Sequence, residues 1–258
     1  MENLEKSMVP ALARALTVLE ALARDPFELT LVELMQELKI PHASLRRILI
    51  TLTDREYIIF DSKRRTYRLG FRFMYLGNVL FNGSHFRSQA RNYLKKLAEF
   101  TGETASLDVR IRNQLLIVDQ VTGPNSVYLY ANPGSAMPFF HTTAAGKIYL
   151  AHSDIKKVRN VMKKIGFPML TPHTIDNIEK LEKEIKKVKR KGYAVDIEEM
   201  REGVARVAAP VYDESKKLLC CLTIACPAFR LDEQHKTYEL GKLVRAVASE
   251  MTKNLGRI

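Results

Sequence analysis

From Val9 the apolar residues Leu12, Leu16, Leu19 and Ala23 recur at spacings of three and four, which predicts one apolar stripe on a helix that Asp25-Pro26 ends. Thr30-Leu31-Val32-Glu33 then has the form of a capping box, with a hydroxyl at the N-cap and a carboxylate three residues on, before apolar Leu34, Met35 and Leu38. Lys39-Ile40-Pro41 breaks that period, because proline disfavours helical backbone at the residue before it yet is tolerated at the start of a new helix. In the third helix Leu45, Ile48, Leu49 and Leu52 face one side. His42, Ala43, Ser44, Arg46, Arg47 and Thr51 are left to face outward or flank the seam.

After Tyr57 the period changes to two. Tyr57 to Phe60 and Thr66 to Gly70 read as the arms of a hairpin whose tip, Asp61 to Arg65, is polar and strongly basic. Helical character returns with Phe71, Met74, Leu76, Val79 and Leu80, loosens at Asn82-Gly83-Ser84, and resumes through Tyr93, Leu94 and Leu97. This places a first domain at residues 1–70, a linker helix at 71–82 and a second domain at 83–258.

In the second domain Ala105 to Val109, Gln114 to Val121 and Val127 to Ala131 read as strands, followed by helices at Thr143 to Ala151 and Asp176 to Arg190. Further strands follow at Tyr193 to Ile197, Arg206 to Tyr212 and Leu218 to Cys226, with Asp213 to Lys216 as a hairpin turn and a long final helix from Asp232. Strands mixed with helices in this order argue an α+β domain with an antiparallel sheet.

Charge changes the picture only once it is located. The net charge is +12, but residues 1–80 hold 12 Lys and Arg against 10 Asp and Glu, leaving 29 against 19 in the remainder. The global excess is therefore weak evidence for nucleic acid. Between Lys39 and Arg72, however, nine basic residues face only Asp54, Glu56 and Asp61. No run of 18 apolar residues occurs, and the N-terminus has no signal-peptide core, which points away from membrane insertion and export. Three cysteines, Cys220, Cys221 and Cys226, crowd into one apolar stretch, an odd count that suits a reducing cytoplasm.

A major groove about 12 Å wide admits one helix braced by a second, with polar side chains at its N-terminal end. Arg46 and Arg47 offer guanidinium forks there, and His42 and Ser44 shorter donors and acceptors. Lys63, Arg64 and Arg65 at the hairpin tip would reach the flanking backbone. Each feature alone is also what a solvated helix face or a soluble turn looks like. Helix, turn, helix and basic hairpin in this order make a winged helix-turn-helix that reads duplex DNA.

The chain resembles the IclR-type transcriptional regulators along nearly its whole length. The resemblance rests on Pro41 to Leu49 with the Tyr57-Ile58 and Tyr67 to Gly70 arms of the wing, on His141-Thr142-Thr143-Ala144-Ala145-Gly146-Lys147, and on Asp196-Ile197-Glu198-Glu199 through Gly203, Val207 to Tyr212, Pro227 and Arg230-Leu231. It implies a linker helix and a C-terminal GAF-like domain that binds a small organic-acid effector, in a homodimer or homotetramer that most often represses. It also implies an effector site at Ala144, Ala145, Asp196, Arg206, Thr223 and Ala225, with Ala144, Arg206 and Ala225 standing where relatives often carry Gly, Cys and Ser.

A helix starting near Thr143 would present unpaired N–H groups to a carboxylate, and Arg206 a forked donor, with Asp196 orienting Arg206 or bonding a ligand hydroxyl. The plainer alternative is an Arg206–Asp196 ion pair and an ordinary strand residue at Thr223. His141 and His152 are eleven apart, and the cysteines lack a metal-binding spacing, with Cys220 and Cys221 on opposite faces of a strand. Neither a nucleophile paired with a base nor a phosphate-binding or dinucleotide fingerprint is visible. The expectation is a regulator with no catalytic residues, metal or cofactor, partnered by duplex DNA and a small carboxylate and not by a membrane. The rival is a metabolite sensor or enzyme whose first domain contacts protein.

Overall fold

The computed structural model describes residues 9–24, 28–83, 85–125, 129, 131–231 and 234–255. In the first unit, Met1–Ser84, three helices form around one core: α1 (Pro10–Leu22), α2 (Leu31–Leu38) and α3 (His42–Asp54). The face α1 buries differs from the predicted stripe. Val18, Ala21 and Leu22 are buried, with Leu19 partly so, whereas Leu12 and Leu16 are exposed. Periodicity finds a helix more securely than it finds which of two adjacent apolar stripes meets the core. The Asp25-Pro26 stop lies outside the described residues.

The capping box of α2 forms in both directions, the Glu33 amide donating to Thr30 Oγ1 at 3.2 Å and the Thr30 amide to Glu33 Oε2 at 2.7 Å. These bonds hold the exposed Glu33 carboxyl below its ordinary range. Lys39 closes the helix in the left-handed region at φ 51°, and Pro41 caps α3. The wing follows as β2 (Ile58–Asp61) and β3 (Thr66–Leu69), joined by β1 (Leu29–Thr30), a two-residue strand too short to carry a period, in the order β1-β3-β2. Gly70 ends the wing where its amide donates to the Tyr57 carbonyl at 2.8 Å; a Cβ there would stand 2.2 Å from the Glu56 carbonyl oxygen, so only glycine fits. Helix α4 (Arg72–Gly83) closes this unit with no buried residue.

The second unit, His85–Ile258, is a six-stranded antiparallel sheet in the order β6-β5-β4-β9-β8-β7. Its strands are β4 (Thr104–Ile111), β5 (Gln114–Val121), β6 (Ala136–Met137), β7 (Ala194–Ile197), β8 (Val204–Tyr212) and β9 (Leu218–Pro227). The α+β reading with an antiparallel sheet stands. The strand expected at Val127 to Ala131 falls largely outside the described residues, and its described members Leu129 and Ala131 are not in a strand. The edge beside β5 is taken by β6 instead.

Period-two alternation puts a separate core on each face of the sheet. One packs α5 (His85–Thr101) and α9 (Gln234–Leu255) against Leu107, Val207, Cys220 and Leu222. The other packs α6 (Ala144–Ala151), α7 (Ile155–Ile165) and α8 (Ile178–Lys191) against Ala194, Ala208 and Cys221. Cys220 and Cys221 thus face opposite cores, and all three cysteines are free and buried, with thiols pushed up by that burial. Helix α7, capped by Asp154 and buried through Val158 and Met162, is absent from the sequence reading. The predicted start of the last helix at Asp232 lies outside the described residues.

Candidate functional site

In the first unit α3 turns its apolar stripe inward through Leu45, Ile48 and Leu49, which leaves His42, Arg46 and Arg47 exposed on the opposite side. Ser44 is half-buried, its hydroxyl accepting from Arg14 Nη1 of α1 at 3.3 Å, so it braces the helix as well as edging its outer face. Lys63, Arg64 and Arg65 stand exposed at the wing tip. The tip is held by Asp61, whose Oδ1 accepts from the Lys63 and Arg64 amides at 2.8 and 3.0 Å. Arg64 shares its guanidinium with Glu28 at 3.4 Å, which leaves Lys63 and Arg65 as the freer charges. Two cationic projections, one helical and one looped, are what a groove-and-backbone reader needs.

In the second unit the sheet rows under α6 are closed, but the neighbouring rows of β4, β9 and β8 border a cavity of about 430 Å³. Register explains the lining: Ser106 pairs with Thr223, Thr104 with Ala225 and Arg206 with Ala225, so these side chains share one face. At its floor sits Asp108, a fully enclosed carboxyl that accepts from Thr223 Oγ1 at 2.6 Å and from Ser106 Oγ at 3.0 Å. Burial pushes its pKa up, against those two hydroxyls and Arg206, which favour the charged form. Ile117, Met137 and Met200 supply apolar wall, and Arg201 stands exposed at the rim. Arg206 lines the cavity while its Nη1 donates to Asp196 Oδ2 at 2.8 Å. Asp196 is wholly buried, and its other oxygen accepts the Glu199 amide at 2.9 Å.

Residues 80–253 match the family model for the bacterial transcriptional regulator IclR C-terminal region, and residues 11–62 match the IclR helix-turn-helix domain. The chain belongs to the IclR family. It is a DNA-binding transcriptional regulator. The acetate operon repressor of Salmonella typhimurium is 27% identical over 95% of this chain and 89% of its own length. An IclR regulator from Alicyclobacillus acidocaldarius has a TM-score of 0.78 at 26% identity, covering 97% of this chain and 100% of that one. An IclR homologue from Microbacterium hydrocarbonoxydans, solved with 4-hydroxybenzoate, has a TM-score of 0.71 at 21% identity, covering 95% and 98%.

Of the six positions the IclR resemblance assigns to an effector, Arg206, Thr223 and Ala225 line one cavity and Asp196 stands behind Arg206. Ala144 and Ala145 do not line it. They are buried in the core with Ile148 and Cys221, and the first turn of α6 is occupied from within, Thr143 Oγ1 accepting the Gly146 amide at 3.1 Å. The turn Phe140–Thr142 also crowds that helix start, since a Cβ on Gly146 would lie 2.1 Å from the Phe140 carbonyl oxygen. Asp108, Ser106, Met200 and Arg201 are among the lining residues that sequence reasoning missed. The alternation of Thr104, Ser106 and Asp108 with apolar Ala105 and Leu107 is the signal that marks a polar strand face. Among the described residues no cluster of His, Cys, Asp or Glu is arranged to hold a metal, and no helix is long and apolar enough to cross a membrane.

Proposed function

We propose that this IclR regulator is a repressor that binds its operator as a homodimer in the cytoplasm, and that a small hydroxylated organic acid in the second unit's cavity controls it. The observation that carries the effector reading is the pairing, in one cavity, of a forked cation with a hydroxyl-rich floor. Arg206, pre-oriented by Asp196, and Arg201 at the rim suit a carboxylate. The Asp108, Ser106 and Thr223 cluster suits a hydroxyl, and Ile117, Met137 and Met200 suit an apolar body. The bound 4-hydroxybenzoate of the Microbacterium protein, an acid that also carries a hydroxyl, supports this class. The repressor reading draws on the name of the Salmonella relative.

Self-association is supported by exposed apolar side chains in the first unit. Phe71, Met74, Val79 and Leu80 on and beside α4, and Leu12 and Leu16 on α1, are large hydrophobics left in solvent. A two-fold dimer would offer two copies of α3 to half-sites one helical turn apart.

Calorimetric titration with a panel of hydroxy acids tests the effector reading. One member should bind, and Arg206→Lys, which keeps the charge but loses the fork, should weaken it about tenfold or more. Unchanged affinity in that variant overturns the assignment. Gel shifts with the DNA upstream of the protein's own coding region should show a steep salt dependence, which a protein-contacting first unit would not produce.

A further inference from the structure

A second cavity, of about 380 Å³, is formed by α6, α8 and β7, and it shares no lining residue with the effector cavity. Its deepest cation is Lys147, wholly buried, whose Nζ donates to the Val195 carbonyl at 2.8 Å and to Glu199 Oε1 at 2.5 Å. Both residues belong to the sequence motifs that mark the family, yet neither takes part in reading DNA or in the effector cavity. Along the rim Lys180, Lys183 and Lys187 follow one another at spacings of three and four, so α8 presents all three from one side.

The charges do not cancel. Lys147 is matched by Glu199, Lys187 by Glu184 at 3.2 Å and Lys180 by Asp176 at 2.9 Å, while among the described residues Lys183 has no ion-pair partner. Four ammonium groups meet three carboxylates, an excess of one positive charge on Lys183, beside a surface that Ile175, Val195 and Ile197 complete. The donor type points to a tetrahedral oxyanion. Ammonium groups on flexible stems close around a tetrahedral oxyanion, whereas a planar carboxylate is better served by a guanidinium fork such as that of Arg206.

We propose that this cavity is a second ligand site, built for a small phosphomonoester whose phosphate is held by Lys180, Lys183 and Lys187. The protein then answers two metabolites of different chemistry, an organic acid on arginine and a phosphate ester on lysines.

Phosphate binding to the full chain, followed by thermal shift and calorimetry at constant ionic strength, tests this. Inorganic phosphate should bind saturably in the millimolar range, and glycerol 3-phosphate several-fold more tightly because its carbon skeleton contacts the apolar wall. Lys183→Ala combined with Lys187→Ala, both exposed positions that leave the core intact, should weaken both probes at least tenfold, and Arg201→Ala at the other cavity should leave them unchanged. The site is refuted if phosphate shows no saturable binding, if the double lysine variant binds as well as the wild type, or if Arg201→Ala abolishes binding. Equal affinity for the two probes refutes the phosphomonoester class.

Discussion

The exposed face of α3 and the cavity of the second unit use the same residue type in opposite ways. Arg46 and Arg47 project from a helix whose core contacts are made by other residues, so their charge is free for a partner and the fold does not depend on it. Arg206 is half-sequestered and tied to a carboxylate with no solvent exposure, so the same guanidinium both lines a cavity and serves as a structural counter-charge. An exposed arginine can be altered without touching stability. An enclosed one cannot.

The sharpest way to break this contrast is Arg206→Ala. Asp196 would keep only the Glu199 amide as partner, and a buried charge stripped of its counter-ion costs about 3–5 kcal/mol. Urea denaturation should show that loss in the second unit, with Arg206→Ala/Asp196→Ala recovering part of it. A loss below about 1 kcal/mol would mean the pair is no more than a surface contact.

The next largest effect is a pH dependence confined to the enclosed region. Burial, reinforced by Asp196 and Glu184 and opposed by Lys147, pushes Glu199 from an ordinary 4.5 up to about 7. The folded state therefore holds a proton that the unfolded chain has released between these values, and stability falls as pH rises through that window and is level above it. Relative to Glu199→Gln, which cannot titrate, the wild type should lose about 3 kcal/mol between pH 4.5 and 7. A constant difference across the window would place Glu199 in ordinary solvent.

The contrast also explains what could be read from the chain beforehand. The first unit is built from contiguous segments, so the helix period, the Thr30 cap, the Pro41 start and the basic hairpin each declare themselves locally. Only β1 escapes, because two residues have no period, and the α1 face is misjudged because the apolar residues there form two stripes. The cavity is assembled across strands in the order β5-β4-β9-β8, whose members are far apart in sequence. Asp108 and Thr223 meet at 2.6 Å from 115 positions apart, which no local pattern announces. Resemblance named Arg206, Thr223 and Ala225, which line this cavity, together with Ala144 and Ala145, which do not, because the Phe140–Thr142 turn and the Thr143 cap pack against the start of α6.

On the exposed side, Arg46→Ala and Arg47→Ala should each weaken operator binding by about 1–3 kcal/mol if they contact base edges. Their unfolding free energies should stay within about 0.5 kcal/mol of the wild type. Footprinting and denaturation on the same preparations measure both. Normal operator binding by both variants would remove α3 from the groove.

The smallest effect separates the two exposed elements from each other. If the wing tip meets phosphates and not bases, Lys63→Ala should lower affinity alike for operator and unrelated duplexes, and flatten the slope of log affinity against log salt by about 0.9. Arg64→Ala should flatten it less, because Glu28 at 3.4 Å already shares that guanidinium in the free protein. Equal effects from the two would show that DNA draws Arg64 away from Glu28. A change in base preference on removing Lys63 would make the wing a second reader of sequence, and the division between a specifying helix and a positioning loop would fail.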